Sequence, residues 1–123
     1  MRIFAIFAVL LLAATSLTAN ATGARSAKKQ LWGAIAFSNK TEAYGYAVDQ
    51  STKRAAEAEA SRQCGADCDV IKSFRNACGA IARDTRRFYW ATGATRAIVE
   101  KQALDKCKGS ACKISVWACT SEK

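Results

Sequence analysis

Gly33-Ala34-Ile35-Ala36 occurs a second time, unchanged, as Gly79-Ala80-Ile81-Ala82. Trp32 precedes the first copy and Cys78 the second. Outward from each copy the chain runs through the same order of events. A charged turn is followed by an aromatic stretch, a helix-like stretch ending in cysteine, and a β-rich stretch. Recurrence at such a spacing marks an internal repeat, and a repeat constrains the fold more than any single motif.

Within the first copy, residues 31–37 (LWGAIAF) form a short apolar strand and residues 38–42 (SNKTE) carry turn chemistry. Residues 43–48 (AYGYAV) alternate, with Tyr44, Tyr46 and Val48 on one face, as a half-buried strand does. Together they predict a β-hairpin. Residues 49–52 offer a Ser or Thr N-cap, and residues 53–64 (KRAAEAEASRQC) are mostly good helix formers. Ala56, Ala60 and Cys64 share one stripe of that helix, and Gly65 is placed to end it. Residues 69–74 return to a strand pattern.

The second copy follows suit. Residues 78–82 are the strand and residues 83–87 (RDTRR) the turn, with Phe88, Trp90 and Thr92 replacing Tyr44, Tyr46 and Val48. Thr95 caps a helix whose stripe is Val99, Ala103 and Cys107. Residues 113–119 form the last strand, in which Trp117 is the counterpart of Phe74. The expected fold is α+β: two tandem β-β-α-β repeats, 31–77 and 78–123, packed as one pseudo-twofold, disulfide-stabilised domain. Neither half is large enough to bury its own apolar face.

What precedes this domain reads as a targeting segment. Met1-Arg2 is basic, residues 3–12 (IFAIFAVLLL) are an unbroken apolar run, and Ala19-Asn20-Ala21 places small residues at a cleavage site. That is the pattern of a signal peptide over residues 1–21. A spanning helix needs about 20 apolar residues, so no membrane span is expected after cleavage. Residues 22–30 (TGARSAKKQ) read as a flexible basic leader. The expected location is secreted or periplasmic.

All six cysteines lie beyond the leader, and an even count in a small exported domain implies a disulfide framework. The repeat suggests Cys64 with Cys68 and Cys107 with Cys112, leaving Cys78 to join Cys119. A rival scheme crosses the halves, Cys64 with Cys107 and Cys68 with Cys112. On chain entropy the short loops contribute about 2 kcal/mol each and the long one about 4. The spacings are poor for zinc and there is no C-x-x-C redox motif, so no metal and no cofactor is expected.

With no histidine in the chain, Ser-His-Asp, Cys-His and His-ligated zinc chemistry are excluded. Glu57 and Glu100 take equivalent helix positions and are the one carboxylate pair open to a glycan-cleaving enzyme. The plainer reading makes them solvated first-turn glutamates that favour the helix dipole. The formal net charge of +9 favours anionic partners. Arg83, Arg86 and Arg87 crowd the second turn, with Trp90 close behind, and arginines beside aromatics clamp phosphates or stack on rings. These four are the candidate binding residues, and no catalytic residue is assigned.

The ordered set W-G-A-I-A (Trp32–Ala36), Tyr44-Gly45-Tyr46, an alanine-rich helix ending in cysteine, F-R-N-A-C-G-A-I-A (Phe74–Ala82) and W-x-C (Trp117–Cys119) resembles a family of small exported bacterial proteins. That family is a domain of unknown function with an internal duplication. The likeness covers residues 31–119. Phe88-Tyr89-Trp90 departs from it in lacking the glycines common there. The resemblance implies secretion and disulfides, and assigns no catalytic or binding residue. The functional expectation is an exported, non-catalytic binding module of inhibitor, immunity or effector type. Its partner would be a protein or an anionic envelope component rather than nucleic acid. The alternative is a small envelope enzyme acting on glycans through carboxylates. The sequence sets no oligomeric state.

Overall fold

The computed structural model describes residues 29–121. The signal peptide expected over 1–21, and the leader up to residue 28, lie outside the described residues. Eight elements follow one another: β1 (Trp32–Phe37), β2 (Tyr44–Gln50), α1 (Lys53–Cys64), β3 (Val70–Arg75), β4 (Cys78–Arg83), β5 (Phe88–Gly93), α2 (Arg96–Cys107) and β6 (Lys113–Cys119). They build a mixed α/β structure of two three-stranded antiparallel sheets, ordered β2-β1-β3 and β5-β4-β6.

Each helix starts where its sequence supplies a cap. The Thr52 hydroxyl accepts from the Ala55 amide at 3.1 Å, and that of Thr95 from the Ile98 amide at 3.2 Å, satisfying donors that the first turn leaves unpaired. α1 ends on Gly65 and α2 on Lys108, which adopts a left-handed conformation at φ 53°. Glu57 and Glu100 stand beyond the first turn, because the helices begin at Lys53 and Arg96. Their relevant partners are those same N-terminal cations.

Strand alternation sorts the side chains into layers. Ala34, Ala36 and Ala47 face the α1 stripe of Ala56, Ala60 and Cys64. Ala80, Ala82 and Ala91 face Val99, Ala103 and Cys107 of α2. The other faces meet in a core of Ile35, Phe37, Val70, Phe74, Ile81, Val116 and Ala118. The order of layers is therefore helix, sheet, sheet, helix.

The duplicated glycine has a packing reason. One ring, that of Phe74, occupies the space that a Cβ would fill at both positions. A Cβ on Gly33 would run into Cε2 and Cζ of Phe74, and one on Gly79 would lie 2.8 Å from Cδ1 and Cε1. Phe74 is thus clamped between the central strands of the two sheets.

Trp117 does not take the place of Phe74. Phe74 pairs with Gly33 in register, whereas the residue pairing with Gly79 is Ala118, and Trp117 pairs with Ala80. A one-residue offset moves a side chain to the opposite face. Phe74 consequently enters the core, while Trp117 turns outward and stacks with Arg96 of α2 at 3.7 Å.

Disulfides join Cys64 to Cys68, Cys107 to Cys112 and Cys78 to Cys119. The first two close the loop after each helix, and the third crosses from β4 to β6. Polar ties also link distant parts of the chain. Leu31 and Asn76 exchange hydrogen bonds, the Thr120 amide donates to the Ala77 carbonyl at 2.9 Å, and the Ser121 amide donates to Asp49 at 2.8 Å.

Candidate functional site

The four candidate residues are not equivalent in the folded chain. Arg83 ends β4 with its side chain turned across to the β1–β2 turn. Its guanidinium pairs with Glu42, donates to the Asn39 side chain at 3.3 Å and carbonyl at 3.2 Å, and lies over the Phe37 ring. Only 18% of that side chain is exposed. Arg83 fastens the two sheets at one end, and its donors are committed there.

Arg86 and Arg87 stand at the tip of the β4–β5 turn, with both side chains exposed. The tip is held by Asp84, whose Oδ1 accepts from the Arg86 amide at 2.8 Å and the Arg87 amide at 2.6 Å. These two backbone donors hold the Asp84 carboxyl below the usual carboxylate range. The turn is thereby fixed while both guanidinium groups face water.

Trp90 lies two residues into β5, and its setting was not legible in the turn. Lys72 of β3 places its ammonium 4.4 Å from the ring centroid, and Lys106 of α2 places its own at 5.4 Å. Lys106 also donates to the Trp90 carbonyl at 2.9 Å. Lysines over an indole face are attracted by its quadrupole. The signal for Lys72 was its position between Val70 and Phe74, at the same parity along β3 as two core residues. Lys106 had none, because only the fold brings the end of α2 to β5.

Among the described residues, every carboxylate is occupied away from this cluster. Glu57 pairs with Lys53, Glu59 with Arg62, Asp67 with Lys40, Glu100 with Arg96 and Asp105 with Lys101. Asp49, Asp69 and Asp84 accept from backbone amides, and Glu42 holds Arg83. Among the described residues, the two ammonium groups at Trp90 have no carboxylate within ion-pair reach.

Glu57 and Glu100 are not brought together. Their helices occupy the two outer layers with both sheets between them, and each glutamate pairs with a cation one turn back on its own helix. That pair cannot flank one glycosidic bond. The Asp84 carboxylate does approach the sulfurs of Cys107 and Cys112. Those sulfurs are bonded to each other, so the group offers no thiolate to a metal.

A second concave surface lies between β2 and β6. It is a groove of about 410 Å³ lined by Tyr44, Tyr46 and Val48 on one side and residues 115–119 on the other. No helix of the described residues is long and apolar enough to cross a membrane.

Residues 32–119 match a family described as Domain of unknown function (DUF4189). The chain is 42% identical over 90 residues to Protein Rv1269c of Mycobacterium tuberculosis, a match covering 72% of this chain and 69% of that protein. It is 36% identical over 89 residues to an uncharacterized protein of the same species, Rv1813c, covering 72% of this chain and 59% of that one. The NMR structure of Rv1813c aligns with a TM-score of 0.60 at 34% identity, covering 72% of this chain and 74% of that chain.

Proposed function

This chain belongs to the DUF4189 family, and we propose that it is an exported, disulfide-stabilised, non-catalytic binding module for an anionic component of the cell envelope. The observation that carries this reading is the Trp90 ring flanked by the Lys72 and Lys106 ammonium groups, which no described carboxylate neutralises. An aromatic face with two cations beside it suits a phosphate-bearing group, which gains charge-assisted hydrogen bonds and an apolar platform. Arg86 and Arg87 extend the same charge along the adjoining turn. Arg83, spent on Glu42 and Asn39, positions that turn rather than meeting the ligand.

Export is supported by the leader-like residues 1–21 and by three disulfides, which persist in oxidising compartments. The tandem, pseudo-twofold reading of 31–77 and 78–123 is supported by matching element order and by register. Trp32 and Arg75 pair in one sheet where Cys78 and Cys119 pair in the other.

The test uses the disulfide-intact chain with phosphatidylglycerol vesicles, phosphatidylcholine vesicles and soluble inorganic polyphosphate. Binding to the first and third, weakening steeply with salt, is the expected result. Each basic residue near an anionic surface contributes about 1 kcal/mol, so Lys72→Gln with Lys106→Gln should weaken vesicle binding about 30-fold. Binding that ignores salt, or that survives the double substitution, removes this site.

A further inference from the structure

The β2–β6 groove has the geometry of a strand-shaped vacancy. β6 is an edge of its sheet, since only β4 pairs with it. The Thr120 amide bonds the Ala77 carbonyl, so residues 77 and 120 are a hydrogen-bonded pair and Cys78 and Cys119 are a non-bonded one. The alternation continues inward, and Ala80 with Trp117 is again non-bonded. The N–H and C=O groups of Trp117 and Cys119 therefore point away from β4, toward the groove. On its other side stand Tyr44 and Tyr46, exposed by 55% and 48% although they share the inward face of β2 with Val48. Sheet β5-β4-β6 ends before it covers them.

The outer edges of β2 and β5 are treated differently. Gln63 of α1 accepts from the Tyr46 amide at 3.2 Å, and Lys106 of α2 donates to the Trp90 carbonyl at 2.9 Å. Side chains near each helix end thus occupy those edges, a common defence against unwanted strand pairing. No described side chain does this for Trp117 or Cys119.

We infer that an extended segment of a partner polypeptide pairs with the β6 edge and lies beneath Tyr44 and Tyr46. Main-chain hydrogen bonds to Trp117 and Cys119 supply the affinity, and alternate side chains set against the tyrosines supply the selectivity. The groove lining holds no charged side chain, so the residues facing it are uncharged. Lys113 opens β6 at the Ser115 end of the groove without a carboxylate partner among the described residues. In a chain of net charge +9 this favours acidic residues on the segment's outward positions, and it disfavours a second copy. This site is separate from Trp90 and its lysines, so either can fail alone.

The test is amide exchange by NMR on the disulfide-intact chain. Three eight-residue peptides serve as probes, alternating valine with glutamate, threonine or lysine, at millimolar concentration. In the free protein, Trp117 and Cys119 amides should exchange faster than those of Val116 and Ala118, which bond across to β4. The valine–glutamate peptide should slow them about tenfold or more, with threonine weaker and lysine weakest. N-methylation at alternate peptide amides should abolish the effect, and Tyr44→Ser with Tyr46→Ser, both at exposed positions, should weaken binding about tenfold. Unchanged Lys72→Gln/Lys106→Gln behaviour would separate this result from the anion site. The inference is overturned by amides already slow in the free chain, or by slowing that tracks protein concentration without peptide. It is equally overturned by no slowing with any of the three peptides, or by cellohexaose shifting the tyrosine signals while the peptides do not.

Discussion

β2 and β5 carry aromatic residues at corresponding register positions and leave them in opposite conditions. Tyr46 pairs with Ile35 and Trp90 with Ile81, so each sits opposite the isoleucine of a Gly-Ala-Ile-Ala stretch. Tyr46 borders an open, uncharged groove, whereas Trp90 has an ammonium group from each of two other elements over its ring. The register at these places is the same and the chemistry is not. The contrast recurs at the sheet ends. Arg75 lies over the Trp32 ring at 5.7 Å in one sheet, and a disulfide joins Cys78 and Cys119 at the matching place in the other.

That last pair gives the largest expected effect. Replacing Cys78 and Cys119 together by serine should destabilise the chain by about 4 kcal/mol on the chain-entropy estimate. Replacing Trp32 and Arg75 removes a cation–π contact worth about 0.5–1 kcal/mol, plus the partly buried ring area. Urea titration of both variants, with the other disulfides intact, measures the gap. Equal losses would mean that the bridge acts as a packing contact and not as a tether.

The glycines come next. Gly33→Ala and Gly79→Ala each push a methyl group into Phe74, and overpacking of this kind costs about 1–3 kcal/mol. Gly33 should suffer more, because its clash with the ring is the closer. In a domain of this size about 1 kcal/mol corresponds to a fall of about 4–8 °C in Tm, which calorimetry resolves. A Phe74→Leu background should relieve both substitutions, since the shared ring is the obstacle. Failure of that rescue would break the idea of one clamp serving two sheets.

Much of this was legible in the residues. The two Gly-Ala-Ile-Ala stretches, the Thr52 and Thr95 caps and the alanine stripes pointed to these strands and helices, because each rests on local chemistry. The facing of Trp117 was not legible, since the register shifts between Ile81 and Ala82 where β4 meets β6. Nor was the role of Arg83, whose partners Asn39 and Glu42 lie more than 40 residues away. The missing glycine in the second aromatic strand does have a physical reading. Gly45 lets the Ala60 carbonyl of α1 come close, whereas Tyr89, at the corresponding register, packs beside the α2 layer. A short sequence records which backbone approaches closely, but not what arrives from another element.

The smallest effect concerns acid, and it probes two carboxylate clasps, one at Asp49 and one at Asp84. Asp49, near the C-terminal end of β2, accepts from the Ser121 hydroxyl and amide, and these two bonds hold its carboxyl below the ordinary range. Asp84 is lowered by the Arg86 and Arg87 amides in the opposite turn. A carboxyl whose folded pKa is depressed contributes stability that is present above its unfolded pKa, about 3.9 for Asp. That contribution is lost as pH falls through the lower folded value. Stability should therefore decline below about pH 4, and Asp49→Asn and Asp84→Asn should each flatten the decline. Asparagine tolerates the left-handed backbone of residue 49, φ 59°, so the substitution reports on charge and not on strain. Because Ser121 follows β6, Asp49→Asn should also loosen the Cys119 end of the open groove and speed amide exchange there, which Asp84→Asn should not. An identical exchange map for the two variants would show that the Asp49 clasp does not set the groove apart from the turn.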